Sequence, residues 1–333
     1  MPAPRKTVDV HNHFYPMSYL REIYRKPGVA RLEGDPDETG DCYLHYEGDY
    51  NVVVYGHRLL DHRLADMDQA GMDVHVFSLT TPGCHVEERA RGIELARLVN
   101  DDFAQGIREY PGRFQAFAAL PLQDPGASAR ELERAHRELG LAGATFFSNL
   151  NGVYPDDERF YPVYEVADAL EIPIFIHPTT PANPGAFLDY RMVAVAGFLF
   201  DTTTAIARMV YSGLFNRFTK LQILLGHLGA TVPYIVERMD RAFVAYDDCH
   251  KYIDRPPSEI MKEHCYLDTV NFDQDAIRLA LAFAGRDRLM LGSDYPHQVG
   301  DMPRAVKTIK TLFVDEGTRE RILGANAAQM FGV

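Results

Sequence analysis

Tryptophan is absent from this 333-residue chain, and its four cysteines, Cys42, Cys84, Cys249 and Cys265, lie far apart with no CxxC pair. Scattered cysteines in a long chain exclude a disulfide scaffold and read as a reduced, cytoplasmic protein. Positive charge is also short: 34 lysines and arginines face 47 aspartates and glutamates, for a net charge of -13. Nucleic acid and anionic membrane surfaces both require a basic face, so neither is an expected partner. A small anionic substrate is not excluded, because a few local cations suffice to bind one. No apolar run approaches the length of a membrane span; the longest, Met192–Phe200, is interrupted by Gly197 and followed by Asp201. Residues Met1–Lys6 carry no apolar signal core. A GxGxxG dinucleotide loop is missing as well.

What is present is ample material for a core, with 46% hydrophobic and 24% charged residues. From Leu59 the chain alternates helix-like and strand-like stretches. Leu59–Ala70 ends at Gly71, a favoured residue just past a helix, and Asp73–Leu79 then reads as a strand. The stretch Val86–Glu109 carries an apolar stripe (Ile93, Leu95, Ala96, Leu98, Val99, Phe103) near the helical period. Further strands are read at Phe114–Leu120, Ala142–Phe147, Pro173–Ile176, Leu221–Leu225, Cys265–Asp268 and Arg288–Leu291, with helices between them and two more in Met302–Phe331. Eight strands result, near residues 8, 76, 117, 145, 175, 223, 267 and 290. Such alternation predicts a parallel sheet with right-handed crossovers, and eight is the number that closes a (β/α)8 TIM barrel. A doubly wound open sheet is the competing α/β architecture. With no linker and no internal repeat, residues 1–333 read as one domain. Residues 14–55, rich in proline, glycine and tyrosine, read as an irregular lid or wall insertion after strand one, with short strands at Tyr43–Tyr46 and Asn51–Tyr55.

The chemistry gathers at strand ends, where barrel enzymes hold their catalytic groups. Strand one ends in His11-Asn12-His13, and two histidines two apart aim both imidazoles to one face. That is a pincer for a metal ion of the kind imidazole prefers. Strand five ends in His177, strand six in His227 and strand eight in Asp294. Any one of them alone reads as a hydrogen-bonded core residue; together they read as a metal site.

In this layout the chain resembles the amidohydrolase superfamily, and within it the aminocarboxymuconate-semialdehyde decarboxylase-like branch, also called amidohydrolase family 2. The stretches that carry the resemblance include VDVHNHFYP (from Val8), IPIFIHP (from Ile172), LQILLGHLGATVPYIVERMD (from Leu221) and RLMLGSDYPH (from Arg288), and together with others they span nearly the whole chain. The resemblance implies His11, His13, His177 and Asp294 as metal ligands. It makes His227 a general acid/base beside them, with Asp294 or a metal-bound water passing a proton to the substrate carbon. Strand four, Gly143–Phe147, lacks the lysine that bridges two metals in many relatives, which implies a single divalent ion, zinc by default with manganese or cobalt also fitting. Arg238 matches an arginine that reaches the substrate carboxylate across a subunit interface, implying a homodimer. Tyr190 falls where relatives place a pocket tryptophan, and Asn51 falls where they place a second arginine.

Among other residues, His297 could line the pocket in the loop after Asp294. His57, Arg58, His62 and Arg63 read as a solvated helix face, with Arg63 the one able to reach the site. His75 reads as pointing toward the helices, and Asp9 as a hydrogen-bonding support. The expected function is metal-dependent, non-oxidative decarboxylation of a small aromatic or unsaturated carboxylic acid, less charged than aminocarboxymuconate. Two rivals stand beside it: hydrolysis of a lactone, amide or carbon–carbon bond at the same site, and a catalytically silent barrel that binds a partner.

Overall fold

A computed structural model describes residues 6–333. Seven strands, β1 (Val8–His13), β5 (Val74–Ser78), β6 (Phe114–Ala118), β7 (Gly143–Phe147), β8 (Ile174–His177), β9 (Ile223–Leu225) and β10 (Cys265–Leu267), form one parallel sheet in that order. Between β1 and β5 lie three antiparallel strands of a separate sheet, β2 (Arg31–Glu33), β3 (Cys42–Tyr46) and β4 (Asp49–Val53). Every residue of β1, β5, β7, β8 and β9 is buried, as expected of parallel strands covered on both faces. Helices join successive parallel strands. Asp124 starts Pro125–Arg137 by accepting from Ala127 N, with proline in the first turn, and Gly71 ends Leu60–Ala70 in the left-handed conformation at φ 69°.

The eighth strand expected at Arg288–Leu291 is not a regular ladder; it makes isolated parallel bridges only. Leu267 N donates to Arg288 O and Met290 N to Leu267 O, while Val10 N donates to Leu291 O, so this segment bonds both edges of the sheet. The ladder stops there because Ser293 N and Asp294 N both turn to the His11 carbonyl, and Asp294 takes a φ of 57°. Seven strands joined end to end through 288–294 are consistent with a (β/α)8 barrel. Val8, Val10, Val74, Val76, Phe117, Phe175, Leu224 and Met290 pack together as one cluster, against which Ala327 and Phe331 from the last helix also lie. A larger apolar layer packs the helices onto the sheet.

Three further readings change. Residues 14–55 contain a helix, Met17–Arg25, whose Tyr19, Leu20 and Ile23 are buried, a face too short to stand out among its polar neighbours. The helical stretch Val193–Tyr211 is long and apolar enough by composition to cross a membrane, contrary to the expectation that none would be. Half of it is buried in the fold, and its Asp201 accepts hydrogen bonds from Ser148, Asn149 and Tyr154.

The third concerns the supposed solvated face at 57–63, where His57, Arg58 and Arg63 are all buried. Arg63 donates to the carbonyls of Gly56 and His13, to Asn12 Oδ1 and to His75 Nδ1. Phe14, Phe77 and Tyr295 pack their ring faces on its guanidinium. Burial lowers its pKa to about 10, which still leaves it charged at neutral pH. Arg63 therefore ties β1, β5 and the loop after Ser293 together from beneath the strand ends. Arg63→Met should strand four acceptors in the core and lower stability by at least about 3 kcal/mol in a urea melt; a loss under about 1 kcal/mol would show that the guanidinium is not holding these elements.

Candidate metal centre

A register shift between Asp9 and Asn12 distorts β1 against β5. Strict alternation would send His11 to the face opposite Val10. The bulge re-aims it, as bulges beside functional sites do, and the His11 ring lies 5.0 Å from Phe175 of the inner cluster. One ligand atom from each of His11, His13, His177 and Asp294 then falls within 4.8 Å of the others, with all four residues buried.

The hydrogen bonds around the cluster decide which nitrogens are bare. His177 Nδ1 must donate to the Pro178 carbonyl at 2.7 Å, so its Nε2 carries a lone pair and has no partner. Ser78 spends its only proton on the Asn12 carbonyl at 2.9 Å, so its oxygen accepts from His13 Nδ1 at 2.8 Å. His11 Nδ1 donates to the Asp268 carboxylate. In the neutral form, all three Nε2 atoms therefore present lone pairs toward the Asp294 carboxylate, His13 at 3.1 Å and His11 at 3.4 Å. Lone pairs facing a carboxylate repel unless a cation lies between them. Those two separations are the span that ligand atoms sharing one ion take up. Three nitrogens and a carboxylate oxygen fit a first-row divalent metal.

Electrostatics agree. Burial disfavours charge on His11, yet Asp268 and Asp294 outweigh it and raise its pKa to about 10; the same two carboxylates favour a divalent ion in place of that proton. Burial pushes His13 and His177 well below the ordinary histidine range, toward the neutral form that binds metal. It also works to raise Asp294, but the imidazoles of His11 and His13 against it outweigh burial and keep the group well below the usual carboxylate range, in the form that ligates a metal.

Asp268 is the important residue that the sequence reading passed over. It follows β10 directly, a strand end like the others, so the same rule would have found it. Besides His11 it accepts from the backbone N–H of His227 at 3.0 Å, Leu228 at 2.8 Å and Val270 at 2.9 Å. His227, Leu228 and Ala230 all have φ between 54° and 59°, and the carboxylate helps to hold that strained turn. The turn leaves His227 Nε2 3.9 Å from Asp294 Oδ2 and its Nδ1 without a partner. Burial, then the charge of His11, lowers the His227 pKa to about 4.

His297 packs its ring 4.6 Å from His13, and burial lowers its pKa. Tyr190 is 92% exposed, and Arg238 is exposed with no hydrogen bond or ion pair among the described residues. Neither takes part in the hydrogen bonds of the cluster within one chain. Asp9 accepts from Ser293 and from His11 N, and His75 lies between Asp9 and Arg63 of the helix Leu60–Ala70, on the strand face opposite Val74 and Val76. Asn51 is occupied in holding Tyr15 and Thr81.

Three imidazoles and a carboxylate at the carboxyl ends of a parallel α/β sheet define a metal-binding protein of the strand-end type. The chain belongs to the amidohydrolase family, whose model matches residues 8–333. It is 30% identical over 334 residues to a 2-amino-3-carboxymuconate-6-semialdehyde decarboxylase of Dictyostelium discoideum, covering 98% of this chain and 91% of that one. A solved 5-carboxyvanillate decarboxylase from Sphingomonas paucimobilis superposes with a TM-score of 0.86 at 29% identity, covering 99% of each chain. A dihydroxybenzoic acid decarboxylase from Polaromonas sp. JS666, solved with bound manganese and the inhibitor 2-nitroresorcinol, gives 0.78 at 27% identity over 98% of this chain and 97% of that one. These similarities put the chain in the aminocarboxymuconate-semialdehyde decarboxylase-like branch of its family.

Asp268→Asn should weaken metal affinity about 10–100-fold, because carboxylates that orient a ligating imidazole contribute on that scale. Competitive metal titration checks this, and unchanged affinity would reduce Asp268 to a support of the His227 turn.

Proposed function

We propose that this chain is a metal-dependent, non-oxidative decarboxylase of a small aromatic or unsaturated carboxylic acid. The observation that carries the reading is the buried cluster of His11, His13, His177 and Asp294, with Nε2 lone pairs converging on one carboxylate. It occurs in a chain whose relatives are named as decarboxylases of such acids. A single divalent ion held by His11, His13, His177 and Asp294 would supply Lewis acidity against negative charge on the substrate oxygens. Zinc suits three imidazoles and a carboxylate; manganese is the ion named in the related dihydroxybenzoic acid decarboxylase structure.

His227 and Asp294 carry the proton. His227 Nε2 is 3.9 Å from Asp294 Oδ2, beyond a direct hydrogen bond, so the proton would reach the carbon that bears the carboxylate through a water or a substrate hydroxyl lying between the two. Once that carbon is protonated, its bond to the carboxylate breaks, the electron pair returns to the unsaturated system and carbon dioxide leaves. His297 binds a substrate oxygen. Arg58, like Arg63, spends its guanidinium on backbone carbonyls (Pro36 and Gly40), so neither is free for a second carboxylate, in keeping with a less charged substrate.

The β3–β4 hairpin serves as the lid within 14–55. Its turn meets the loop after β8, through Thr180 Oγ1 to the Glu47 carbonyl (3.1 Å) and Arg191 to Asp49 (2.7 Å), while Tyr46 reaches Thr81 after β5 (3.0 Å). Gly48, at φ 85°, allows the close approach, since a Cβ there would come within 2.9 Å of Thr180. We read residues 1–333 as one barrel domain. The exposed Arg238 and Tyr190 fit a homodimer in which they complete a neighbouring pocket, and four free cysteines fit a cytoplasmic setting.

The test is a panel of hydroxybenzoates and carboxylated phenols incubated with metal-loaded protein, scored for carbon dioxide and for the decarboxylated arene. Release of carbon dioxide that stops on chelation and in His177→Ala, which should lose its metal, is the expected result. Acid released from lactones or amides without carbon dioxide would favour the hydrolase. A metal-free wild type would sink both. In His227→Ala the metal should be retained while kcat falls about 10²–10⁴-fold.

A further inference from the structure

We propose that His57 is a positioning residue that locks His297 in the tautomer protonated at Nε2, so that His297 meets the substrate only as a hydrogen-bond donor. The inference rests on the reading above that the site binds a small acid, and it adds a residue that does not touch the substrate.

The assignment follows from counting protons along a short chain of groups. The backbone N–H of Val54 points at His57 Nδ1 at 3.2 Å. An amide can only donate, so this nitrogen carries a lone pair and a neutral His57 holds its proton on Nε2. That Nε2 lies 3.3 Å from His297 Nδ1. One proton must sit between the two nitrogens, and it comes from His57. His297 Nδ1 is thereby an acceptor, and the His297 proton is on Nε2, which lies 3.5 Å from Thr80 Oγ1. Among the described residues, neither imidazole has a carboxylate hydrogen-bonded to its ring that would hold a second proton in place.

His57 cannot turn away from this task. It is fully buried in the short turn Tyr55–Arg58, its carbonyl accepts from Tyr15 N at 2.7 Å, and its ring packs 5.4 Å from that of Tyr15. The His297 ring lies 5.0 Å from His57 on one side and 4.6 Å from His13 on the other, so the ring stands beside the ligand cluster, and the long 3.5 Å bond from its Nε2 to Thr80 is one that a substrate oxygen can replace. A fixed donor there selects substrates that offer an anionic or carbonyl oxygen, such as a carboxylate or a phenolate. The opposite tautomer would present a lone pair and repel the same oxygen.

The experiment uses zinc-loaded protein with 15N-labelled histidine, the His297 signals being assigned by their loss in His297→Phe. The wild type should show the one-bond N–H coupling of His297 at Nε2. In His57→Leu, which removes the donor, His297 should populate both tautomers, and KM for the preferred acid should rise about tenfold or more with kcat changed far less. His57→Gln, whose amide can donate to His297, should restore KM to within about threefold of wild type. A wild-type His297 protonated at Nδ1 overturns the inference at once, whether or not any variant folds. A single Nε2–H tautomer persisting in His57→Leu also overturns it. Failure of the decarboxylase reading shows up separately, as absent carbon dioxide release with the Nε2–H signal intact.

Discussion

Three imidazole lone pairs and a carboxylate are brought within 4.8 Å of one another in a site closed to solvent. Only a cation between them, a proton on His11 or a metal ion, relieves the repulsion of lone pairs and carboxylate. The arrangement is held because every Nδ1 is already spent, on Asp268, Ser78 and the Pro178 carbonyl, leaving no freedom to swap tautomers and relieve the repulsion. A divalent cation converts that repulsion into coordination. The fold is thus built so that its ligands fit an ion better than they fit each other.

The supports of this centre reach it from below and from the side. Inner side chains from the parallel strands fill the space under His11, with Phe175 against its ring. Arg63 gathers the His13 carbonyl, the Asn12 side chain and the loop at Gly56. Asp268 serves two parts at once, orienting His11 and accepting the N–H groups of the turn that carries His227. His11 and the turn that carries His227 are therefore joined through one carboxylate.

The β3–β4 hairpin and the stretch after β8 are tied together by Arg191, whose guanidinium pairs with Asp49 and stacks over Tyr50. Asn51, placed where relatives are expected to hold a cation, instead fastens β4 to the loop after β5. Arg191 is thus neutralised by Asp49, and Asn51 brings no charge. The proposed substrate accordingly carries its charge on the group the metal and His297 bind, and little elsewhere.

The order of helices and strands was readable because burial on both faces demands short β-branched and apolar runs, and helices demand the 3.6-residue stripe. The ligands were readable too, since His11, His13, His177 and Asp294 each sit where an apolar strand stops. Sequence spacing could not show that a bulge turns His11 onto the face of Val10, since a register shift is a property of two paired strands. Nor could it show that His57 and Arg63 are buried, because charged and polar residues on a short amphipathic stretch usually face water and only tertiary contacts supply their partners. The chain by itself thus determined which residues could ligate a metal. Packing alone decided which nitrogen of each imidazole is bare, because that depends on hydrogen bonds between segments far apart in sequence.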